Sequence, residues 1–335
     1  MYLKVFNPSA LFCIVLYLAP FVSGSPYNDK SDGPLAYSFY DKSCPNLFMI
    51  VRWGVWAALQ NDTRIAASLL RLHFHDCFVD GCDASVLLDD TNTFKGEKNA
   101  FPNHNSIRGF EVIDSIKADV EKSCPSTVSC ADVLALAARE AVVLSGGPFW
   151  LVSFGRLDSL TASEKSANEQ LPAPFEPIEN ITAKFVAKGL DLKDMVVLSG
   201  GHTIGFAQCL TFKNRLFNFK GSGKPDPSLD PSMLSALQTT CPNIDQSNSK
   251  LAPLDSQSMY RFDNMYYKNL MNNNGLLESD KALVLDTKTA AMVKDYSADP
   301  FLFATHFAAS MVKLGNTGVL TGQGGEIRKK CGSVN

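Results

Sequence analysis

Apolar residues recur along most of this chain at helical spacing. Phe110, Ile113, Ile116 and Val120 fall three, three and four apart, a stripe that predicts a helix buried along one side. Ser129-Cys130-Ala131-Asp132 has the form of a capping box and opens an apolar run that stops at Gly146-Gly147. Asp230-Pro231 and Asp299-Pro300 each set a capping acid before a proline at the first helical position. Asp62 is placed to cap a further helix running to His75, where Ala, Leu and Arg favour helix over strand. Strand-like alternation is scarce and no repeat of solenoid length is visible, so a mainly α fold is expected. Glu169 to Pro177, EQLPAPFEP, predicts an irregular connector with a domain boundary near it, and Gly221 to Pro227 a second irregular stretch.

Composition changes this picture at the N-terminus. Lys4 precedes an apolar run too short for a membrane span, and small residues follow at Ser23 to Ser25, the pattern of a cleaved secretory signal over residues 1–25. No other stretch is long and apolar enough to span a bilayer. Of nine cysteines, Cys13 lies in the leader; Cys44, Cys77, Cys82, Cys124, Cys130, Cys209, Cys241 and Cys331 remain. An even count behind a signal argues for four disulfides without choosing their pairing. Asn61-Asp62-Thr63 and Asn180-Ile181-Thr182 are glycosylation acceptors, which suits a secreted eukaryotic chain. With 31 basic against 34 acidic residues, nothing predicts a nucleic-acid partner. The mature length suits one large or two modest domains.

The densest chemistry lies in RLHFHDCFVDGCDAS, residues 71 to 85. Residues two apart on a helix diverge by about 200°, so His73 and His75 point to opposite sides and cannot share a zinc ion. His73 is then read as structural, with a local hydrogen bond. Arg71 and His75, four apart, share a face, with Ser68 and Phe74 near it. Beyond them Asp76, Asp80, Asp83 and Ser85 offer hard oxygens in a loop that a Cys77 to Cys82 staple would close, which is calcium chemistry outside the EF-hand spacing. In the other half, LSGGHTIG sets His202 after two glycines that would let the backbone approach something flat or bulky. Two such histidines, one beside an arginine, invite a cofactor between them.

At this point the chain resembles the secreted plant heme peroxidases, the class III peroxidases. The resemblance rests on RLHFHDCFVDGCDAS, on PNHNSIRGFEVID (102 to 114), VSCADVLALAARE (128 to 140), LSGGHTIG (198 to 205) and RFDNMYY (261 to 267), and runs from Phe39-Tyr40 to Cys331. Phe74 stands where the intracellular peroxidases carry tryptophan, which points to the secreted branch. The resemblance implies two helical domains, a distal one over residues 26–175 and a proximal one over 176–335, with heme b between them. His202 would hold the iron and donate to Asp280; His75 would be the general acid and base, Arg71 the electrostatic stabiliser, and Asn103 the acceptor that orients His75. Glu97 would bind Asn103 and reach a distal calcium formed by Asp76, Val79, Gly81, Asp83 and Ser85. A proximal calcium would use Thr203, Asp255, Ser258, Arg261 and Asp263. The implied disulfides are 44 to 124, 77 to 82, 130 to 331 and 209 to 241. The third closes a loop of about 200 residues, for which chain entropy gives about 5 kcal/mol at most.

The implied activity is reduction of hydrogen peroxide while phenolic donors are oxidised in two one-electron steps, with the carbonyl of Pro172 against the donor. A monomer is expected. Ser258-Met259 stands where threonine and proline are usual, and Leu157 where a second arginine is common. The chain ends four residues after Cys331, without the extension associated with vacuolar members, so secretion to the cell wall space is expected. Two other readings compete: a secreted heme- and calcium-binding scaffold with little turnover, and a zinc hydrolase built on the His/Asp/Cys cluster.

Overall fold

The computed structural model describes residues 35–335; the expected leader lies outside the described residues. Thirteen α-helices form the framework of this region. In the first half they are α1 Leu47–Asn61, α2 Ile65–Phe78, α3 Phe110–Ser123, α4 Cys130–Leu144 and α5 Glu164–Gln170. The second half has α6 Ile178–Ala187, α7 Leu192–Ser199, α8 Lys213–Phe217, α9 Pro231–Thr240, α10 Met265–Met271, α11 Glu278–Leu285, α12 Thr287–Ala298 and α13 Pro300–Gly315. One short antiparallel pair, β1 Phe206–Gln208 with β2 Leu251–Pro253, is the only sheet among the described residues. The mainly α expectation holds, and no described helix is long and apolar enough to cross a membrane.

Helix α4 is the axis of the first half. It is largely apolar, and its residues from Cys130 to Val142 are buried, charged Asp132, Arg139 and Glu140 among them, as in a helix packed between α1, α2 and α3. The Ser129 hydroxyl accepts from the Asp132 amide at 3.1 Å, one half of a capping box. The reciprocal half is absent. Asp132 instead accepts from Tyr40, the Gly155 amide and Arg156, because those buried donors need a partner more than an amide at a helix start does. Asp158 supplies the missing cap, taking the Cys130 and Ala131 amides at 3.0 and 2.9 Å. At α2 the boundary also moves: Asp62 takes the Arg64 amide and pairs with Arg64 and Arg108, which caps the turn before Ile65. Asp230 and Asp299 cap α9 and α13 as their Asp-Pro signals predict. Glu169 and Gln170 belong to α5, so the irregular connector runs over residues 171–177.

After α13 the chain returns to the first half. Thr317 accepts from the Cys82 amide, Leu320 pairs with Leu157, and Glu326 pairs with Asp158. Gly81, at φ +130°, allows this approach, since a Cβ there would lie 2.2 Å from the Gly318 carbonyl oxygen. Disulfides join Cys44 to Cys124, Cys77 to Cys82, Cys130 to Cys331 and Cys209 to Cys241, the pairs the family resemblance implies. A second, smaller core gathers Cys209, Phe212, Leu216, Leu237 and Cys241 with Leu276 and Leu277.

Candidate active site

Helix geometry brings Arg71 and His75 together on one side of α2. The Arg71 Nε donates to His75 Nε2 at 3.1 Å, while its Nη2 donates to the Pro102 carbonyl at 2.7 Å and to Ser106 at 3.0 Å. On the far edge of the ring, His75 Nδ1 lies 2.5 Å from Asn103 Oδ1, and the Asn103 amide donates to the Glu97 carbonyl at 2.9 Å. Since Asn103 Oδ1 can only accept and Arg71 can only donate, Nδ1 carries the proton and Nε2 carries the lone pair. Burial, then the Arg71 charge, hold His75 well below the usual imidazole range, against the pull of Asn103. Burial also pushes the Arg71 guanidinium down to about 10, which leaves it charged at neutral pH. The outcome is a neutral base beside a fixed positive charge.

Phe74 packs edge-on to His75 and stacks on Phe78. The Ser68 hydroxyl turns back to the Arg64 carbonyl, so it is spent within its own helix. His73 points the other way, buried against Cys77 and Arg156, and is pushed down to about 3 by burial and then by the arginine. With His73 and His75 apart and all eight described cysteines in disulfides, the zinc reading has no ligand set; no cluster of three His, Cys, Asp or Glu side chains suited to a metal occurs among the described residues.

His202 sits in the short 3-10 turn Gly200–Thr203 that follows α7. Its Nδ1 lies 2.8 Å from Asp280 Oδ1, an arrangement in which the other ring nitrogen could hold a metal. Asp280 Oδ1 also accepts from the Tyr266 hydroxyl at 2.9 Å, and its Oδ2 from the Leu277 amide at 3.1 Å. Helix cap and histidine partner are thus one carboxylate. Burial works to raise this carboxyl; His202, the Leu277 amide and Tyr266 outweigh it and hold it below its ordinary value. Gly200 does approach something flat, but it is protein: a Cβ there would lie 2.4 Å from the Tyr267 hydroxyl and 2.6 Å from the Phe303 ring. A Cβ on Gly201 would lie 3.4 Å from Leu70 of α2, so the His202 turn lies against the helix carrying Arg71 and His75.

The loop after α2 gathers buried acids. Asp76 accepts from the Ala84 and Val86 amides, Asp83 from the Ser85 amide, and the Gly81 carbonyl from the Asp83 amide. Burial, then the Asp83 charge, raise Asp76 well above the carboxylate range; burial brings Asp83 to about 6; burial, then Asp76, push Glu97 up to about 9. Both Glu97 carboxylate oxygens and the Ser85 hydroxyl are buried without a hydrogen-bond partner. No three of these acid side chains form one metal cluster, yet buried oxygens in that state suit a hard cation that also takes hydroxyl and carbonyl ligands and would ionise the acids. Near His202 the Thr203 and Ser258 hydroxyls meet Asp255 and Asp263, with Ser258 Oγ 3.0 Å from each acid. The Arg261 amide donates to the Ser258 carbonyl, and its guanidinium lies 3.9 Å from Asp263. Pro172 lies half-buried in the 171–177 connector, whose Pro174 carbonyl accepts from the Ser279 amide beside Asp280.

Sequence reasoning missed Ser106 and Pro102 as holders of Arg71, and Tyr266 as the second donor to Asp280. All three lie inside PNHNSIRGFEVID and RFDNMYY, so the motifs carried the signal without the role.

A carboxylate-backed histidine on one side and an arginine beside a neutral, basic histidine on the other suit an enzyme that handles peroxide at a bound metal group. The family model described as "Peroxidase" matches residues 51–299. Peroxidase 10 of Arabidopsis thaliana is 68% identical over 300 residues, which is 89% of this chain and 86% of the relative. Peroxidase N of Armoracia rusticana is 54% identical over 305 residues, covering 90% and 91%. The chain belongs to the peroxidase family, in its plant class III branch. It is a heme peroxidase, an enzyme that reduces hydrogen peroxide at the expense of donor substrates.

Proposed function

We propose that this peroxidase oxidises small phenols, with His202 holding heme b and His75, Arg71 and Asn103 carrying out the proton and charge work. The observation that carries the reading is the unbroken hydrogen-bond chain from Glu97 through Asn103 and His75 to Arg71. Bound heme would supply the iron and macrocycle that together hold both oxidising equivalents of the peroxide and pass them on singly. His75 Nε2 takes a proton from one peroxide oxygen and returns it to the oxygen that departs as water. Arg71 stabilises the negative charge on that departing oxygen. Asn103 keeps the proton on Nδ1, and so keeps Nε2 basic. Asp280 makes His202 electron-rich, which disfavours the reduced metal. One peroxide and two phenols become two waters and two phenoxyl radicals.

Two calcium ions complete the proposal. Asp76, Asp83, Ser85 and the carbonyls of Val79 and Gly81 would hold one, with Glu97 behind it; Thr203, Asp255, Ser258, Asp263 and the Arg261 carbonyl would hold the other. Asp76 adjoins His75 and Thr203 adjoins His202, so each ion would fix one of the two histidines. We further propose a distal domain over residues 26–175, a proximal one over 176–335, a Pro172 carbonyl facing the donor, and a secreted monomer in the cell wall space. The scaffold alternative requires a damaged site, and Arg71, His75 and Asn103 are all present and joined.

The test is the visible spectrum of the heme-loaded protein through one equivalent of hydrogen peroxide and then a phenol. A ferric band that loses intensity with peroxide and recovers with the phenol supports the reading. A band indifferent to peroxide supports the scaffold, and recovery only with a non-phenolic donor overturns the donor class.

A further inference from the structure

Arg215, on α8, is fully buried although it lies outside every motif that carries the chemistry. Its Nη1 donates to the carbonyls of Gly275 and Leu276 at 2.7 Å and of Leu277 at 3.1 Å. Its Nε donates to Asp226 Oδ2 at 2.9 Å, and Nη2 lies 2.8 Å from the same oxygen. Three consecutive carbonyls share one nitrogen while a carboxylate takes the opposite edge, a two-sided contact that needs the width of a guanidinium and that the single ammonium of lysine cannot span.

The segment so held is the one that enters α11. Leu276 and Leu277 bury their side chains in the second core, behind the Cys209–Cys241 disulfide. The Leu277 amide then donates to Asp280 Oδ2, and Asp280 Oδ1 takes His202. A Cβ on Gly275 would lie 3.5 Å from the Asp280 Cβ, so the segment passes close to the acid at this point too. From Arg215 to the His202 ring there are thus three steps: a guanidinium on carbonyls, an amide on a carboxylate, a carboxylate on an imidazole.

We infer that Arg215, balanced by Asp226, is a positioning residue that sets the Asp280–His202 pair by fixing the 275–277 segment. The inference rests on the reading of His202 as the iron ligand. Hydrogen bonds behind a ligand tune its basicity, and basicity tunes the metal's potential. Releasing the segment removes the only backbone anchor on Asp280 Oδ2 among the described residues, leaving the carboxylate free to turn about its Oδ1 partners. The second core then has a function: it is the mount for the proximal acid.

The test measures the ferric/ferrous reduction potential and the iron–histidine stretching frequency of the heme-loaded protein. Arg215→Lys is expected to raise the potential and lower the stretch, in the same direction as Asp280→Asn and by less. Leu237→Ala, in the same core but outside this chain of contacts, is expected to lower Tm and move neither. Wild-type values of both quantities in Arg215→Lys with heme bound would overturn the proposal. Where that variant fails to bind heme, Asp226→Asn takes its place: a smaller shift of the same sign supports the role, and no shift overturns it. Asp280→Asn without effect would refute the proximal reading itself, and the proposal with it.

Discussion

The two histidines of the site differ in what stands behind them. His75 gives its Nδ1 proton to a neutral amide, Asn103, and faces a positive charge, Arg71. His202 gives its Nδ1 to a buried carboxylate, Asp280. An amide orients an imidazole and leaves it free to gain and lose a proton at Nε2; a carboxylate pushes electron density into the ring and favours a metal in a high oxidation state. On the proposed reading, one residue type serves as a proton carrier in one half of the molecule and as an iron ligand in the other. The side chain behind the ring makes the difference.

Substitutions that erase or exchange those backing groups test the contrast. The largest effect is expected from His75→Leu, which removes the base outright: the second-order rate with peroxide should fall about 10³-fold in stopped-flow, with heme retained. Arg71→Leu should cost about 10²-fold in the same rate, and Arg71→Lys less, since charge survives without the fork. Asn103→Val should cost about 10-fold and leave the iron potential alone, whereas Asp280→Asn should move the potential. Equal effects of the two on both quantities would erase the distinction between the rings.

Calcium removal should act before unfolding, and more on the His75 side than on the other. Near His75, Glu97 and Ser85 leave buried oxygens unpartnered, while near His202 the Thr203 and Ser258 hydroxyls already meet Asp255 and Asp263. Chelation followed by peroxide kinetics and circular dichroism checks this; unchanged turnover after verified calcium loss would contradict it. The smallest expected effect is on stability. His73 is held at about 3 when folded, against about 6.5 in an unfolded chain. Between those values the unfolded chain binds the extra proton, so stability drops as pH falls through this window. His73→Gln should shrink the difference in urea midpoint between neutral and mildly acid solution; an unchanged difference would assign the acid sensitivity elsewhere.

Much of this site was legible because it is local. Arg71 and His75 share a helix face by spacing alone, and the Asp-Pro caps announce α9 and α13. What stayed hidden depends on contacts across long stretches of chain. Asp132 reads as half of a capping box, and only the approach of Tyr40 and Arg156 turns it into a buried ion-pair partner. Asp158, the actual cap of α4, stands 28 residues from the first amide it takes. The glycines before His202 suggest a cofactor, but Gly200 is small because Tyr267 and Phe303 press on it. Arg215 carries no local signal at all, since its three carbonyl partners lie about 60 residues further along the chain.

On the proposed reading His75 is the proton carrier, and a neutral, oriented ring is what the site provides. The most direct measurement is the stopped-flow rate of the heme-loaded protein with hydrogen peroxide, wild type beside His75→Leu, at matched heme content. A fast second-order reaction is expected that falls by about three orders of magnitude in the variant. A variant that reacts at the wild-type rate would contradict it.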